Sequence, residues 1–209
     1  MAKMCGDAAS ARREEIINAC AALYETMNFK DVTLKEVGAK TSFTRPLIYY
    51  YFHTKEEIFL ALLQREYEAW GDELDALCRE HASMTAEQFA GALSRSLERR
   101  PRLLKLLSMN HYDLEANSRM ENLVAFKEAY GASMDALSRC LEKFFPRMTA
   151  ADIQGFLYAF FPFLFGIYPY TVVTGKQRAA MEQAGVPCPR LSVYELTRSM
   201  VLKLLRGSC

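Results

Sequence analysis

The sequence predicts an all-α protein, and three observations support this fold class. Apolar residues recur at steps of three and four along almost the whole chain, which is the spacing of one helix face. No segment alternates apolar and polar residues as a half-buried strand does. Helix-start signals, in which a Ser or Thr precedes an acidic or amide side chain by three residues, occur at Thr33, Thr54, Thr85, Thr149 and Ser192. We therefore expect a three-helix module over residues 1–55, followed by a larger helical domain over residues 56–209.

The N-terminal module is predicted to contain one long and two short helices. The first spans about residues 8–27, and Asn28 is expected to end it in a left-handed conformation. Its apolar stripe consists of Ile16, Cys20, Leu23 and Met27. The box at Thr33 opens a second helix, and Thr44 with Pro46 opens a third, since proline is tolerated in a first helical turn.

The remaining helices follow from the same signals. A long helix runs from the Thr54 box to about residue 79, and Pro101 starts another. Residues 175–191 (GKQRAAMEQAGVPCPRL) predict a short helix followed by a Pro-rich loop. The last helix follows Ser192, and its apolar face consists of Val193, Leu196, Met200 and Leu204.

Composition narrows the class of protein. The 209 residues carry 26 Lys and Arg against 25 Asp and Glu, so the net charge of the whole chain argues neither for nor against a nucleic-acid partner. Residues 30–55 hold a small local excess of positive charge. The six cysteines form no CxxC pair and no disulfide rhythm, and the N-terminus lacks an apolar signal core, which together favour a cytoplasmic protein with reduced thiols.

One apolar segment, residues 156–173, is long enough to suggest a membrane span. Pro162, Gly166 and Pro169 interrupt it, and no cluster of Lys or Arg flanks it. We expect a bent helix that lies in a ligand pocket or a dimer interface, and no membrane contact.

The sequence contains no GxSxG, HExxH, P-loop or glycine-rich dinucleotide motif, so we expect neither an enzyme nor a cofactor. His53, His81 and His111 lack the spacing of metal ligands. We therefore predict no metal site.

Two short helices joined by a tight turn form a helix-turn-helix when the second helix keeps one face apolar and the other free. The predicted third helix fits this pattern, because Ile48, Tyr51 and Phe52 lie on its inner face. Its outer residues are Arg45, Pro46, Tyr49 and Tyr50. Arg45 carries the donor pair that matches the edge of guanine.

Residues 43–59 (FTRPLIYYYFHTKEEIF) resemble the recognition helix and following helix start of tetracycline-repressor-like regulators. The resemblance extends back through the first helix and covers about the first 60 residues. By this resemblance, Thr33, Tyr49 and Lys55 hold DNA phosphates. The positions that face bases are Thr44, Arg45, Pro46, Leu47 and Tyr50.

Three positions depart from the family pattern. Ser42 replaces the usual turn glycine, and a left-handed serine would cost roughly 1–2 kcal/mol, so we expect the turn to be built differently. Asn28 replaces the glycine after the first helix, and Phe43 replaces a smaller apolar residue.

The resemblance also implies a homodimer through residues 149–174 and 192–206, which would place two recognition helices about 34–36 Å apart on a palindromic operator. Helices of the larger domain would bind an apolar or aromatic effector that releases the repressor from DNA. The candidate ligand residues are Trp70, Met109, His111, Tyr112, Phe126, Tyr130, Tyr158, Phe160 and Phe163.

The residues leave alternatives open. The aromatic residues of the third helix and of the larger domain are also compatible with plain core packing. The chain could be a helical ligand-binding dimer that has lost DNA binding, or a thiol-based redox regulator. Activation of transcription is an alternative to repression.

Overall fold

The computed structural model describes the backbone of residues 2–109 and 111–206 and, within these, every side chain except those of residues 2–8, 45 and 111. The described backbone contains helices and no strand, so the predicted all-α class is confirmed. The helices are α1 (Ala2–Thr26), α2 (Leu34–Ala39), α3 (Arg45–Tyr51), α4 (Lys55–Glu80), α5 (Ala86–Glu98), α6 (Pro101–Leu107), α7 (His111–Ala116), α8 (Met120–Phe144), α9 (Ala150–Thr171), α10 (Gly175–Gln183) and α11 (Val193–Arg206).

The chain divides into two compact units. The first comprises Met1–Arg65 together with Asn110–Tyr130, and the second comprises Glu66–Met109 together with Gly131–Cys209. The long helices α4 and α8 therefore each contribute residues to both units. The sequence did not indicate that residues 110–130 group with the N-terminal helices. The predicted domain boundary at residue 55 stays a prediction.

The core of the first unit forms around the stripe on α1. Ile16 and Cys20 are fully buried, and Leu23 is nearly so. Phe59 of α4 packs edge-on against Tyr24 at 5.0 Å and against Phe29 at 4.8 Å between ring centroids. These aromatic contacts join α1 and the loop that follows it to the start of α4.

The core of the second unit surrounds Trp70 of α4, whose side chain is fully buried. Its indole Nε1 donates to the Ser96 hydroxyl at 3.1 Å, and its ring lies 5.8 Å from that of Phe161. In this unit α5 packs along α11, and α9 packs against α6 and α11. Gly71 lies against Ser133 and Asp75 against Arg139, so α4 and α8 run in the same direction here.

The capping boxes form as the sequence predicts. Reciprocal hydrogen bonds between side chain and backbone occur at Thr33, Thr85, Thr149 and Ser192. At the start of α4 the pattern differs, because Thr54 accepts from the Glu57 amide while the Glu57 carboxylate accepts from the amide of His53. The predicted short helix and Pro-rich loop are also present, as α10 and the residues after it.

The predicted left-handed end of the first helix is wrong. Among the described residues, no residue other than glycine has a positive φ. The helix ends when the Met27 amide donates to the Leu23 carbonyl, and the Asn28 carbonyl then accepts from the amides of Asp31 and Val32. The chain after α1 is therefore fixed by a turn that accepts at the Asn28 carbonyl and needs no left-handed residue.

On α11 the predicted apolar face is only partly covered. Val193, Leu196, Met200 and Leu204 remain half-exposed in the single chain. The buried row lies one step around the helix and consists of Thr197, Val201 and Leu205. An apolar strip therefore remains accessible beside the row that α11 buries.

Helix α9 is long and apolar enough to cross a membrane by length and composition alone, and well under half of its apolar window is buried in the structure. A core helix of a globular protein passes the same test, so this is weak support for a span. Pro162 and Pro169 both lie inside the continuous helix.

Candidate nucleic-acid interface

The turn between α2 and α3 is held by a contact that the sequence did not reveal. The backbone amide and the hydroxyl of Ser42 both donate to Glu15 Oε1 of α1, at 2.8 and 2.9 Å. The Thr41 hydroxyl donates to the Gly38 carbonyl at 3.1 Å. Because Ser42 does not have a positive φ, the expectation that this turn is built differently is confirmed.

One face of α3 is fixed in the core of the first unit. Ile48 and the cap residue Phe52 are fully buried, and Tyr51 is half-buried. A Cβ added to Gly38 of α2 would lie only 3.1 Å from Ile48 Cδ1. The absence of a side chain at Gly38 therefore permits the close approach of α2 and α3.

The opposite face of α3 is open. Thr44 and Pro46 are exposed, Leu47 is half-exposed, and Tyr49 and Tyr50 have exposed fractions of 41% and 75%. Thr44 precedes the helix without using its side chain as a cap. The side chain of Arg45 lies outside the described residues, although its backbone forms the first residue of α3.

Two of the predicted phosphate-binding residues have partners within the protein. The Thr33 hydroxyl bonds to the Glu36 carboxylate of its capping box, and these bonds hold the pKa of Glu36 below its usual value. Lys55 Nζ donates to the Phe29 carbonyl at 2.8 Å and lies 4.3 Å from the centroid of the Phe29 ring. The anchoring roles of Thr33, Tyr49 and Lys55 stay predictions.

Exposed basic side chains also occur on α1, on α2 and at the residue that follows α2. Arg12, Lys35 and Lys40 are exposed, and Arg13 is half-buried with its guanidinium 5.3 Å from the centroid of the Phe52 ring. These cations can attract a phosphate backbone without reading its sequence.

An ion pair between a buried carboxylate and a partly exposed arginine joins the end of α3, the start of α4 and the residues before α8. Glu57 is 1% exposed, and its Oε1 accepts from Arg119 N at 3.0 Å and from Arg119 Nε at 2.7 Å. Its Oε2 accepts from His53 N at 2.8 Å and from Arg119 Nη2 at 3.2 Å. Burial raises the pKa of Glu57, but the hydrogen bonds from Arg119 and His53 outweigh it, and the pKa is lowered overall. We call this set of contacts the Arg119 clamp.

The predicted ligand residues are divided between the two units. In the first unit Phe126 is buried, Tyr130 is half-buried and Tyr112 is 83% exposed. The side chain of His111 lies outside the described residues.

In the second unit, Trp70 and Phe160 are fully buried, Met109 is half-buried and Tyr158 is 67% exposed. Phe160 and Phe163 stack with their ring centroids 6.1 Å apart. The ligand-binding roles of all these residues stay predictions.

An apolar groove of about 730 Å³ lies in the second unit between the end of α9, α10 and the loop before α11. Phe163 is the candidate ligand residue on its wall. Its other lining residues include Pro162, Ile167, Met181, Cys188 and Leu196. Within the part of the chain that the structure describes, no cluster of His, Cys, Asp or Glu is placed to hold a metal ion.

A helix-turn-helix with one open face, in a chain whose remaining residues form further helices, is the architecture of a DNA-binding regulator with an appended helical domain. Residues 16–62 match the family model for bacterial regulatory proteins of the tetR family, and residues 64–209 match the model for the tetracyclin repressor-like C-terminal domain. The chain belongs to the TetR family, and it is a DNA-binding transcriptional regulator. A sequence comparison with curated proteins gives no significant match.

Solved structures share the fold at low sequence identity. The fatty acid degradation regulator FadR from Bacillus halodurans is 15% identical, with a TM-score of 0.58 over 94% of this chain and 99% of that one. A TetR/AcrR-family regulator from Thermobifida fusca is 19% identical, with a TM-score of 0.59 over 94% and 98% of the two chains. RolR in complex with resorcinol is 18% identical, with a TM-score of 0.56 over 94% and 95%.

Proposed function

We propose that this regulator is a repressor that binds a palindromic operator as a homodimer in the cytoplasm and leaves it when an apolar or aromatic effector binds. The observation that carries the proposal is the two-sided α3, in which Ile48 and Phe52 are fixed in the core while Pro46 and Tyr50 face outward. A short helix fixed on one face and open on the other can enter a major groove.

The base-reading positions we propose are Thr44, Arg45, Pro46, Leu47 and Tyr50. Residues near the N-terminus of an inserted helix reach base edges, and the described side chains of this set are exposed or half-exposed. Because Thr33 and Lys55 already bond within the protein, contact with phosphate would require them to share or exchange those bonds. Tyr49 keeps 41% of its surface exposed.

The dimer we propose uses the outer faces of residues 149–174 and 192–206. Tyr158, Pro162, Gly166 and Tyr170 follow one another at steps of four along α9, and all are exposed in the single chain. The half-exposed apolar strip of α11 supplies further surface of the same kind. Apolar rows of this extent are typical of surfaces that a partner covers.

The proposal that the effector is apolar or aromatic rests on the buried aromatic residues of the second unit, such as Trp70 and Phe160. The apolar groove beside α9 shares Pro162, Gly166 and Tyr170 with the proposed dimer face, so we assign it to the dimer and not to the effector. Among structures of the same fold, RolR is known with resorcinol, and the repressor AlkX from Dietzia is implicated in the biodegradation of n-alkanes. The RolR complex supports the proposal that a fold of this kind can hold a small aromatic ligand.

The test is selection of binding sites from a random duplex library by the purified full-length protein, followed by salt titration of the enriched site. We expect a palindrome whose affinity falls by about 0.9 log units per phosphate contact for each decade of salt. Tyr50→Ala should weaken binding to that site in the absence of effector. Tyr112→Ala, which removes a similarly exposed tyrosine from α7, should not weaken it under the same conditions.

If no sequence is enriched and the salt dependence is shallow, the chain is instead a helical ligand-binding dimer that has lost DNA binding. Enrichment of an asymmetric site would leave DNA binding intact and contradict the palindrome. A reporter gene downstream of the enriched site would then distinguish repression from activation.

A further inference from the structure

We propose that Arg119 is a positioning residue for DNA reading, because it fixes the C-terminal end of the recognition helix α3 to the start of α4. This inference rests on the proposed function, since it concerns how that function depends on a residue outside the helix-turn-helix. Arg119 lies just before α8, in the segment of residues 110–130 that groups with the N-terminal helices in the first unit.

The guanidinium of Arg119 contacts both elements at once. Its Nη2 donates to the carbonyl of Tyr51, the last residue of α3, at 3.1 Å, and to Glu57 Oε2 at 3.2 Å. Its Nε donates to Glu57 Oε1 at 2.7 Å. The last carbonyls of a helix lack intrahelical partners and carry partial negative charge, so a cation placed there caps α3 and is attracted by its dipole.

The connection between α3 and α4 is short and is held at both ends. Only Phe52, His53 and Thr54 separate the two helices, and the His53 amide donates to Glu57 at 2.8 Å. Phe52 is fully buried between these contacts. A displacement of Glu57 or Arg119 therefore cannot be absorbed by a flexible linker.

A second contact ties the same segments together. The Thr54 hydroxyl donates to the carbonyl of Asn117 at 2.9 Å, two residues before Arg119. Arg119 Nη1 also pairs with Glu121 at 2.9 Å, which orients the guanidinium from the α8 side. Residues 117–121 thus bond to both sides of the junction that follows the recognition helix.

Because α3 has only seven residues, its direction is set by few contacts. Recognition requires its side chains to be held within about 0.5 Å of the geometry that contacts base edges. Breaking the Arg119 clamp should leave α3 formed for most of the time, but its C-terminal end should open more often and its direction should be less fixed. The predicted consequence is a loss of discrimination between operator and other DNA.

The test compares Arg119→Met with Arg139→Met in the full-length protein. Arg139 is the matched control, because it also forms a two-pronged ion pair with α4, through Asp75, but in the second unit. Affinity is measured by fluorescence anisotropy for the enriched operator and for a scrambled duplex of equal length. Arg119→Met should weaken operator binding about tenfold and scrambled binding less than about twofold, whereas Arg139→Met should change both by less than about twofold.

The variant Arg119→Lys distinguishes the hydrogen-bond geometry of the arginine side chain from its positive charge. Lysine keeps the positive charge but cannot reproduce the fork that joins Tyr51 to both oxygens of Glu57. We expect Arg119→Lys to lose operator preference nearly as far as Arg119→Met. Full affinity in Arg119→Lys would show that charge alone matters, and an equal loss for operator and scrambled DNA would show a direct phosphate contact or a general loss of fold. Either result would overturn the proposal.

Hydrogen exchange of the peptide covering residues 45–53 keeps the test independent of the operator. Exchange there should be faster in Arg119→Met than in Arg139→Met or the unsubstituted protein. If no operator is enriched but this difference in exchange is observed, the proposed function is wrong, while the claim that the Arg119 clamp fixes the end of α3 still holds. If an operator is enriched but the exchange of this peptide is unchanged, the proposed function still holds, while the claim that the Arg119 clamp fixes the end of α3 is wrong.

Discussion

At the scale of single residues, the hydrogen bond from Trp70 to Ser96 should contribute measurably to the stability of the second unit. Ser96→Ala removes the acceptor that lies 3.1 Å from the buried indole nitrogen. An unsatisfied buried donor costs about 1–3 kcal/mol, so we expect the free energy of unfolding to fall by that amount. Urea unfolding followed by the fluorescence of Trp70, the only tryptophan in the chain, measures it directly.

Ser108→Ala is the control for this prediction. The hydroxyls of Ser96 and Ser108 each donate to the carbonyl three residues earlier at 2.8 Å, but that of Ser108 is exposed. Its effect should stay within about 0.5 kcal/mol. Equal losses for the two variants would mean that the indole N–H does not depend on Ser96.

The Glu57 carboxylate should contribute to stability in a pH-dependent way. Its pKa in the folded chain lies below the usual value of 4.5, so its contribution is present at neutral pH and is lost as pH falls through the folded pKa. Glu57→Gln removes this titration and also turns amide hydrogens toward the donors of Arg119 or His53. We expect the variant to be less stable at neutral pH, with a smaller loss of stability between about pH 6 and about pH 3.

Urea midpoints across this pH range provide the measurement. Glu195→Gln is a useful comparison, since that pKa is also lowered but its carboxylate is exposed in the capping box of α11. Parallel stability curves for the unsubstituted protein and Glu57→Gln would contradict the assignment.

The thiols of the chain should differ in reactivity. Burial raises the pKa of Cys20 to about 12, and burial together with neighbouring Cys78 raises the pKa of Cys140 to about 12. Because alkylation proceeds through the thiolate, iodoacetamide at about pH 8 should modify the half-exposed Cys78 and Cys188 well before Cys20 and Cys140. Peptide mass mapping over time gives the order.

This order also bears on the redox alternative. The Cys140 sulfur donates to the Leu74 carbonyl at 3.3 Å and that of Cys78 to the Arg139 carbonyl at 3.9 Å, so both thiols lie between α4 and α8 in the second unit. Fast modification of Cys140 in the folded protein would favour a thiol-based regulator. Labelling of Cys140 only after unfolding would argue against one.

At the scale of helices, the contact between α2 and α3 should be sensitive to a single methyl group. Gly38→Ala places a Cβ 3.1 Å from Cδ1 of Ile48, which is fully buried and has little room to move. We expect the first unit to lose about 1–3 kcal/mol of stability and α3 to shift, with weaker operator binding. Thermal unfolding and operator titration measure the two effects.

Gly131→Ala is the control within α8, because its added Cβ has no atom within 4 Å. A glycine-to-alanine change there should stabilise the helix by about 0.4–1 kcal/mol. If Gly38→Ala also stabilised the protein and left operator affinity unchanged, the packing of α3 would not depend on Gly38.

Local signals in the sequence predicted the helix starts well, and long-range contacts account for what they missed. A capping box involves residues three apart, so Thr33, Thr85 and Ser192 could be recognised directly. The bonds from Ser42 to Glu15 and from Arg119 to Glu57 join residues 27 and 62 positions apart. Pairs this far apart produce no periodic pattern in the sequence. Only the opposite charges of Arg119 and Glu57 were a sign that these two residues could pair.

At the scale of the whole molecule, the first 60 residues predicted the class of protein because the helix-turn-helix depends on a short, contiguous pattern. The ligand residues could not be predicted in the same way. Composition shows which residues are aromatic, but not whether they fill the core, as Trp70 and Phe160 do, or stay exposed, as Tyr112 and Tyr158 do. Which of them contact an effector depends on packing that one sequence does not encode locally.

The proposed dimer makes a prediction at this scale. The protein should sediment at about twice the mass of its 23.8 kDa chain at micromolar concentration. Gly166→Glu should convert it to a monomer, because a Cβ there meets no atom within 4 Å in the single chain, while the carboxylate would enter the apolar face that we propose for the interface. Analytical ultracentrifugation measures the mass, and thermal unfolding shows whether the chain still folds.

Gly175→Glu is the matched control, because its added Cβ is equally unobstructed and it lies in α10, outside the two proposed dimer helices. It should remain dimeric. A palindrome needs two recognition helices at a fixed spacing, so Gly166→Glu should also lose cooperative operator binding while Gly175→Glu retains it. If the Gly166→Glu protein were dimeric, the dimer interface would lie elsewhere. If the unsubstituted protein were monomeric, the proposed dimer would be wrong.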